Sequence, residues 1–531
     1  MSPSERPVPT DRAALLQRLS EGGRFDVAVV GGGATGLGVA LDAASRGLRV
    51  VLLEGQDFAK GTSSRATKLL HGGVRYLAQG NVGLVKEALH ERTTVLRNAP
   101  HLAQPLPFVM PSYKAWETPF YGIGLKMYDA LAGRAGLGST DFLGREATLR
   151  ALPTLRTEGL KGGVRYWDGQ FDDARLAVAL ARTAATYGAL LVNHCPVTGL
   201  LHEHGKLAGL HCEDRESGRV FEVRARCVIN ATGVWVDGLR QQDGAARQAN
   251  VRPMVAPSQG VHVVVDRDFL PSDHALLVPK TADGRVLFAV PWLGKLILGT
   301  TDTPRTDLPL EPNAFAHEVD FILNESARYL RRAPTAADVK SHWVGLRPLV
   351  KPDSSSGENT QSISREHTVL VSASGLVTVT GGKWTTYRAM AEDVLKKCRD
   401  AGLLPGLADG HTDQLALVGA AGTPANQPPV CAPPGAHGYG GERDFVWSLP
   451  GADHNLGGGL TEAMVRFAVR FEYARTVEDV LARRSRLLFL DAALAASLAD
   501  EVGAIVAQET GRDSQVGAFV ALARQHLALP I

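Results

Sequence analysis

The fold is decided near the start of the chain by the stretch Phe25-Asp26-Val27-Ala28-Val29-Val30-Gly31-Gly32-Gly33-Ala34-Thr35-Gly36. Its mostly apolar first half runs directly into a turn rich in glycine, and the small residues beyond open a helix. A second apolar run, Val50-Val51-Leu52-Leu53, follows and ends on Glu54. Strand, glycine turn, helix, strand and acid in this order are typical of the βαβ unit that binds the adenosine diphosphate part of a dinucleotide.

The glycines and the acid of this unit have separate predicted roles. Gly31 forms the tight turn, Gly33 lets the backbone approach a pyrophosphate, and Gly36 lets helix and strand pack closely. The helix N-terminus offers free N–H groups and partial positive charge to the phosphates. Glu54 stands where an acid hydrogen-bonds a ribose hydroxyl. The motif therefore predicts a bound dinucleotide, FAD or NAD, without choosing between them.

Length and composition are those of a globular protein with more than one domain. The chain has 531 residues, more than one hydrophobic core usually organises, so two or three domains are expected. Hydrophobic residues make up 44% and charged residues 21%, which is ordinary for globular proteins. A net charge of +2 argues against a nucleic-acid-binding protein.

Cysteines and apolar runs indicate the compartment. The five cysteines are scattered and form no C-x-x-C pair, so the sequence indicates neither a disulfide framework nor a metal site. Residues 1–21 lack the apolar core of a signal peptide, and no apolar run approaches the roughly 18 residues that span a bilayer. We therefore expect a cytoplasmic protein that is not integral to a membrane, while binding to a membrane surface stays open.

Units in which a strand leads into a small-residue turn recur far apart in the sequence, at Cys227–Gly233 and Val377–Arg388. They predict an α/β fold with one nucleotide-binding domain that insertions interrupt. Its predicted segments are residues 20–100, 170–245 and 350–400. The insertions are rich in strand signals and are predicted to form an antiparallel-sheet substrate domain, or cap, over the cofactor. They cover residues 100–170 and 245–350.

The last part of the chain, residues 405–531, is predicted to be a helical domain. A stretch rich in Pro and Gly, 419–441, predicts a linker, and apolar residues recur at helical spacing over 462–490. Carboxylates four residues from some of its arginines favour a solvated helix face over a surface for an acidic partner. These arginines are Arg466, Arg470, Arg475, Arg483, Arg484 and Arg486.

A loop with unusual chemistry follows the second strand, at residues 61–76. Small hydroxyl residues and glycines let its backbone lie along a flat cofactor. Lys68, Arg75 and Tyr76 add cationic and phenolic donors. We interpret it as a cofactor-facing loop, the alternative being a polar loop with solvated basic residues.

Arg347, Arg365 and Lys383 are cations near predicted strand ends. A guanidinium matches the geometry of a phosphate, so these side chains could converge on a dianion. The residues alone leave separate surface charges as an equal alternative. His262 enters an apolar strand, where a histidine is more often a core residue than a general base; both readings stay open. Asp302 is predicted to be structural.

Taken together, these segments resemble the FAD-dependent glycerol-3-phosphate dehydrogenases. The matching strings occur in the family's order and span most of the chain. They are Gly31–Gly36 with Glu54, Thr62–Tyr76, Ala231–Gly233, Gly299–Asp302, Gly345–Pro348 and Gly381–Arg388. The second and the last are specific, whereas the glycine motif alone is not. The helical tail also resembles the family's C-terminal domain.

The resemblance implies FAD in a glutathione-reductase-like domain, and oxidation of sn-glycerol 3-phosphate at C2 to dihydroxyacetone phosphate. It also implies that electrons pass to membrane quinone, which would place the protein peripherally on the inner face of the cell membrane. The oligomeric state stays open, a homodimer included. With this substrate, the dianion expected for the cations becomes the substrate phosphate.

By motif, the resemblance carries three sets of residues to this chain. The cofactor-binding set is Gly31, Gly33, Gly36, Glu54, Thr62, Ser63, Ser64, Lys68, His71, Ala231, Thr232, Gly233, Gly382, Trp384 and Thr385. The substrate-binding set is Arg75, Tyr76, His262, Arg347, Arg365 and Lys383. The catalytic set is His262, Arg347 and Lys383, with His262 favoured as the base that accepts the C2 hydroxyl proton.

Two features depart from the family pattern or remain ambiguous. The family often carries Lys at the position of Gln259, which predicts a less basic pocket wall. The segment Pro119–Tyr128 mixes aromatic residues with a lysine, so it could rest on a bilayer surface or pack as a helix in the cap domain.

Three other functions are alternatives to this one. An oxidase that passes electrons to oxygen is nearest, but such relatives tend to carry an inserted segment for which this chain shows no obvious room. A flavin oxidase of 2-hydroxy acids or amino acids would need a carboxylate clamp without several phosphate-binding cations. A flavin-bound structural or RNA-modifying protein is disfavoured by the near-neutral charge.

Overall fold

The computed structural model describes residues 7–73, 81–281, 284–351 and 366–530. Its strands are β1 Phe25–Val30, β2 Val50–Leu53, β3 Leu69–Leu70, β4 Ala103–Ser112, β5 Asp141–Gly144, β6 Gly162–Phe171, β7 Leu190–Val192, β8 Val197–Glu203, β9 Lys206–Glu213, β10 Val220–Asn230, β11 Val255–Asp266, β12 Ala275–Val278, β13 Leu287–Trp292, β14 Lys295–Gly299, β15 Thr303–Pro304, β16 Ser341–Val350, β17 His367–Val371, β18 Leu376–Gly381, β19 Asn455–Gly457 and β20 Leu460–Thr461.

The α-helices alternate with these strands and then dominate the tail. They are α1 Arg12–Glu21, α2 Ala34–Ser45, α3 Val82–Asn98, α4 Glu117–Ala132, α5 Arg145–Ala151, α6 Asp173–Thr186, α7 Val236–Ala246, α8 Ala316–Tyr329, α9 Tyr387–Asp400, α10 Arg443–Trp447, α11 Glu462–Phe471, α12 Leu487–Leu490, α13 Ala492–Ser497, α14 Ala499–Thr510 and α15 Val516–Leu527. Among the described residues, none of the helices is both long and apolar enough to cross a bilayer.

The first sheet has the strand order β17-β18-β10-β1-β2-β7. All neighbours are parallel except β17 and β18, and β8 and β9 extend one end of β10 as an antiparallel meander. Strands β1, β2 and β7 are apolar and buried, as expected for strands covered on both faces. Helices α2, α6 and α9 pack on this sheet and on one another. The predicted α/β class is thereby confirmed.

The second sheet has the order β15-β11-β14-β13-β12-β4-β6-β3, with β16 on β11 and β5 on β6. It is antiparallel apart from the pair β4 and β12. Strand β3 comes from the loop that follows β2, so this loop joins the second sheet directly to the first.

The tail packs on the second sheet instead of standing apart from it. Phe467 and Phe489 of the tail share one apolar core with Trp292 and Trp343 of that sheet. The segment predicted as a linker is also packed, because Leu293 N–H donates to the carbonyl of Val430 at 3.1 Å.

The predicted run of helix over 462–490 is interrupted. Helix α11 ends at Phe471, and a turn of π-helix covers Asp479–Arg484 before α12 begins. The prediction of a solvated face is wrong for three arginines of this stretch. Arg483, Arg484 and Arg486 are 3%, 5% and 1% exposed.

Candidate active site

The carboxyl ends of four parallel strands meet at one edge of the first sheet. They are the ends of β1, β2, β10 and β18. Ligands of doubly wound sheets bind outside this edge, because the loops that follow the strands converge there. The segments that follow these four strands contain all the described residues predicted to bind the cofactor.

The glycine turn after β1 has the shape that the sequence predicts. Gly31 has φ +108°, and a Cβ atom there would lie 2.6 Å from the carbonyl oxygen of Ala231. A Cβ atom at Gly36 would overlap the carbonyl oxygen of Gly31. At Gly33 a Cβ atom would meet only Ser63 Oγ, at 3.1 Å. The backbone is thus crowded by protein at Gly31 and Gly36 and open at Gly33, which fits the approach of a pyrophosphate.

Helix α2 and strand β2 present polar groups beside this opening. The N–H of Ala34, the first residue of α2, donates to Ser63 Oγ at 2.9 Å. Glu54 accepts from Gly32 N–H at 2.6 Å and from Gln56 N–H at 2.7 Å. Burial raises the pKa of the Glu54 carboxyl, and these two N–H groups oppose that shift. A carboxylate held at the end of β2 can accept a hydrogen bond from a ribose hydroxyl. The residues present are therefore suited to an adenine dinucleotide.

The 61–73 loop is tied to both sheets. Thr62 Oγ1 donates to the carbonyl of Leu346 on β16 at 2.6 Å. The indole N–H of Trp384, just after β18, donates to the carbonyl of Ser63 at 2.8 Å. This loop therefore lies between the glycine turn and the second sheet, as a cofactor-facing loop should.

The turn after β18 closes the same edge. Gly381 and Gly382 have φ +84° and +72°, and a Cβ atom at Gly382 would overlap the sulfur of Met390. Thr385 Oγ1 lies 3.5 Å from the carbonyl of His71. Lys383, the predicted cation of this turn, is half-buried.

The turn after β10 completes the cofactor edge. Thr232 Oγ1 donates to Asn230 Oδ1 at 2.8 Å. Gly233 has φ +64°, and its carbonyl accepts from Thr380 Oγ1 at 3.0 Å. This bond links the ends of β10 and β18, which lie side by side.

Lys68 is predicted to bind the cofactor, but its side chain lies inside the protein. Its side chain has no exposed surface. Its Nζ donates to the carbonyl of Ser64 and to Asp173 Oδ2, both at 2.7 Å. Ser64 itself is 1% exposed. The side chains of both residues therefore lie on the buried side of the 61–73 loop.

Arg347 lies over the strand pair formed by β11 and β16. Gly260 faces Gly345 in this pair, and a Cβ atom at Gly260 would overlap the guanidinium. The guanidinium donates to the carbonyls of Gln259 at 3.0 Å and Thr301 at 2.9 Å, and lies 3.4 Å from Asp302 Oδ1. These bonds fix the guanidinium, and the side chain is 21% exposed.

His262 lies on the same face of β11, two residues from Gly260. Its Nε2 is 2.9 Å from Thr67 Oγ1, and its ring stacks on Trp343 with centroids 5.1 Å apart. A Cβ atom at Gly299, which pairs with His262, would lie 2.6 Å from the imidazole. His262 is 3% exposed, whereas Thr67 is only half-buried and separates it from the surface of the site.

The electrostatics of the site keep His262 neutral. Burial, and then the positive charges of Lys68 and Arg347, hold the pKa of His262 well below its usual range. Its Nδ1 is buried and has no hydrogen-bond partner among the residues that the structure describes. A neutral imidazole has one unprotonated nitrogen that can accept a proton, and Nε2 is the nitrogen that faces Thr67.

Gln259 does not line the pocket, so the expected less basic wall is not formed by this residue. It is completely buried on the opposite face of β11 from His262. There its amide donates to Glu318 of α8 and its carbonyl accepts from Arg305 at 2.6 Å. The alternation of side chains along a strand decides this placement.

The structure brings together some of the predicted substrate residues and leaves others undescribed. Arg347 and His262 share one face of the second sheet. Arg75, Tyr76 and Arg365 lie outside the described residues.

Residues that sequence reasoning missed also contact this site. Thr67 belongs to the string Thr62–Tyr76, which carried the family resemblance, so this string could have indicated it as a site residue. Asp173 and Arg486, which hold the back of the 61–73 loop, gave no comparable signal.

Comparisons with known proteins agree with this geometry. Residues 26–388 match the family described as FAD dependent oxidoreductase, and residues 436–516 match the C-terminal domain of alpha-glycerophosphate oxidase. The chain is 41% identical to the probable mitochondrial glycerol-3-phosphate dehydrogenase of Caenorhabditis elegans, over 97% of this chain and 74% of that protein. It is 43% identical to the mitochondrial glycerol-3-phosphate dehydrogenase of Rattus norvegicus, over 91% of this chain and 70% of that protein.

Two solved structures extend the comparison. Glycerol-3-phosphate dehydrogenase from Bacillus halodurans, complexed with FAD, is similar with a TM-score of 0.75 and 28% identity, over 97% of both chains. L-alpha-Glycerophosphate oxidase from Mycoplasma pneumoniae, with FAD bound, shares the fold at a TM-score of 0.54 and 16% identity, over 70% of this chain and 94% of that chain.

The fold and the site together define an FAD-dependent oxidoreductase. The extent of the sequence match narrows this class. The chain belongs to the FAD-dependent glycerol-3-phosphate dehydrogenase family, as the resemblance implied.

Proposed function

We propose that this protein oxidises sn-glycerol 3-phosphate to dihydroxyacetone phosphate and passes the electrons to membrane quinone. The observation that carries the proposal is the fixed guanidinium of Arg347 on the same face of the second sheet as a neutral His262, which contacts the 61–73 loop. A bound FAD supplies the acceptor for the hydride that leaves C2.

The side chains of this protein bind and orient the substrate. The guanidinium of Arg347 is fixed by backbone carbonyls and matches the geometry of a phosphate, so we assign it to the substrate phosphate. We assign Lys383 to the same dianion, together with Arg75, Tyr76 and Arg365. Fixing the phosphate sets the position of C2 and its hydroxyl.

The proton of the C2 hydroxyl needs an acceptor while the hydride leaves. We assign this role to His262, acting through the hydroxyl of Thr67. Thr67 Oγ1 lies 2.9 Å from His262 Nε2 and is nearer the surface, so it can pass the proton inward.

Thr67→Val and His262→Gln are each expected to lower the limiting rate of anaerobic flavin reduction roughly a hundredfold. Because both act on one proton, the double variant should be no slower than the slower single variant. Stopped-flow absorbance measures these rates, and His317→Gln, an exposed histidine of α8, is the control with an unchanged rate. Independent, additive effects would contradict a shared relay.

The pH dependence tests the state of His262. Since its folded pKa is held well below 6.5, the neutral form persists as pH falls through the usual titration range of histidine. The ratio of wild-type to His262→Gln rates is therefore expected to stay constant from about pH 8 to about pH 6 and to fall only at lower pH. A ratio that halves near pH 6.5 would show an ordinary histidine instead.

Substrate and acceptor are tested on the purified flavoprotein. Anaerobic bleaching of the flavin absorbance by glycerol 3-phosphate, but not by lactate or amino acids, is the expected result. Turnover should be fast with a water-soluble quinone and slow with oxygen as the acceptor. Fast turnover with oxygen would replace the dehydrogenase by an oxidase.

The surface of helix α4 supports the membrane part of the proposal. Trp116, Phe120, Ile123 and Met127 are 54%, 65%, 61% and 55% exposed, at the spacing of one helical face. Phe142 lies beside this face and is 47% exposed. We name these five residues the apolar patch.

Basic side chains border the apolar patch. Lys114 lies 6.0 Å from the ring of Trp116, and Lys126 lies 5.7 Å from the ring of Phe142. An apolar helical face edged by lysines is suited to the interface of a bilayer that carries anionic lipids. We therefore propose that the patch rests on the membrane that holds the quinone.

The double variant Phe120→Glu/Ile123→Glu is expected to weaken binding to phosphatidylglycerol-containing vesicles roughly a hundredfold, because two large apolar side chains no longer enter the interface. Vesicle sedimentation measures this. Turnover with a water-soluble quinone should not change. Val220→Glu, at a position 61% exposed on β10, is the matched control. Equal binding by both variants would rule out the patch as the docking surface.

A further inference from the structure

The 61–73 loop is held from behind by a buried cluster that the proposed mechanism does not use. Lys68 Nζ donates to the carbonyl of Ser64 and to Asp173. The ammonium lies 5.1 Å from the ring of Trp292 and 4.9 Å from that of Trp343. A fully buried lysine enclosed by aromatic rings is costly to retain, because its charge is removed from water.

The C-terminal domain supplies a second cation to the same two acceptors. Arg486, from the left-handed turn before α12, is 1% exposed. Its Nη2 donates to the carbonyl of Ser64 and to Asp173 Oδ1, both at 2.9 Å. Phe489 of α12 lies 4.5 Å from its guanidinium and 5.5 Å from Lys68 Nζ. Two cations from opposite ends of the chain thus converge on one carbonyl and one carboxylate.

Asp173 connects this cluster to the next turn of the loop. Its Oδ2 accepts from the N–H of Ala66 at 3.1 Å. The segment between Ser64 and Ala66 is therefore fixed at both ends. Directly before it, Ser63 contacts the start of α2, and directly after it Thr67 contacts His262. A shift of this segment would move both contacts together.

The charge of the cluster also affects the pKa of a residue of the site. Burial lowers the pKa of Lys68 to about 7, and the positive charge of Arg486 lowers it further. The negative charges of Asp173 and Asp172 oppose this shift. Lys68 in turn contributes to the low pKa of His262. Trp343 lies near Lys68 and stacks on His262, so the cluster and the catalytic face share one side chain.

We propose that Arg486 and Lys68 are positioning residues for the flavin site, and that the C-terminal domain completes this site by supplying Arg486. This inference rests on the proposed function only in assuming that the loop serves the oxidation of glycerol 3-phosphate. It gives the tail a role beyond stability: through Ser64 and Asp173 it sets where the 61–73 loop lies against the cofactor.

The test compares Arg486→Met and Lys68→Met with wild-type protein, using the full chain loaded with FAD. Both variants are expected to bind FAD about tenfold more weakly and to shift the visible spectrum of the bound flavin. The limiting rate of flavin reduction by glycerol 3-phosphate, counted per bound flavin, should fall on the order of tenfold or more, because small displacements of reacting groups are costly.

Arg182→Met is the matched control. Arg182 lies on α6, the helix that begins with Asp173, and pairs with Glu442 of the tail at 2.6 Å through two buried bonds. Its loss breaks another contact between the tail and the first sheet, so Tm should fall. FAD affinity, flavin spectrum and rate per flavin should stay at wild-type values.

The outcomes separate the two proposals. If glycerol 3-phosphate fails to reduce wild-type flavin, the proposed function is wrong, and FAD affinity and the spectrum still decide the positioning role. If Arg486→Met does not fold, Arg486→Lys carries the test, because a lysine keeps the charge on a shorter side chain that lacks the guanidinium donors. Wild-type affinity, spectrum and rate in the folded variants, or equal losses in Arg182→Met, would overturn the positioning role.

Discussion

Replacing Arg347 with alanine is expected to lower kcat/KM for glycerol 3-phosphate roughly a thousandfold, which corresponds to about 4 kcal/mol. The guanidinium is fixed by the carbonyls of Gln259 and Thr301, and the side chain is 21% exposed. Removing it leaves the phosphate without its forked partner, and the substrate then loses the contact that orients C2. Steady-state kinetics with a soluble quinone measure the loss.

Two variants separate the geometry of this cation from its charge. Arg347→Lys keeps the charge but cannot donate in a fork, so it should recover only part of the lost kcat/KM. Arg224→Ala removes an arginine whose side chain is 48% exposed, in the half of β10 away from the cofactor edge, and should leave the kinetics unchanged. If Arg347→Ala kept kcat/KM within threefold of wild type, roughly 0.7 kcal/mol, the proposed phosphate site would be wrong.

Gly36→Ala is expected to give protein without bound FAD. A Cβ atom at Gly36 overlaps the carbonyl oxygen of Gly31, so α2 must move away from β1 and the phosphate-binding turn opens. The strain of such crowding is about 3 kcal/mol, which should also lower Tm. The ratio of flavin to protein absorbance and a thermal melt measure both effects.

Gly517→Ala is the control for this substitution. Gly517 is exposed on α15, and a Cβ atom there meets no atom within 4 Å. Its replacement should keep FAD and raise the free energy of unfolding by up to about 1 kcal/mol, because alanine favours helix. A Gly36→Ala protein that retains one FAD per chain and the wild-type Tm would contradict the close packing of α2 on β1.

The nucleotide-binding unit could be predicted because its information is local. The strand, the glycine turn and Glu54 lie within one short stretch, and backbone atoms leave no room for a Cβ atom at Gly31 or Gly36. Lys68 shows the limit of such reasoning. Its place in a loop rich in donors suggested a ligand, but aromatic rings from β13, β16 and α12 bury it.

The buried arginines of the tail show the same limit. A carboxylate four residues from an arginine gives the same sequence pattern on a solvated helix face as in a buried core. Asp57, which follows β2, accepts from both Arg483 and Arg484 and so makes their burial tolerable. No periodicity within the tail could indicate a partner that lies more than four hundred residues away.

The sequence by itself determined the class of fold, the cofactor edge and, through its motif strings, the family. These rest on spacings along the chain, which local backbone geometry turns directly into structure. The tertiary structure alone decided that Gln259 points away from the site, that Thr67 stands before His262, and that Arg486 reaches the back of the 61–73 loop. Such contacts depend on strand register and on how separate domains pack, because the free energy that selects them is shared among residues distant in sequence.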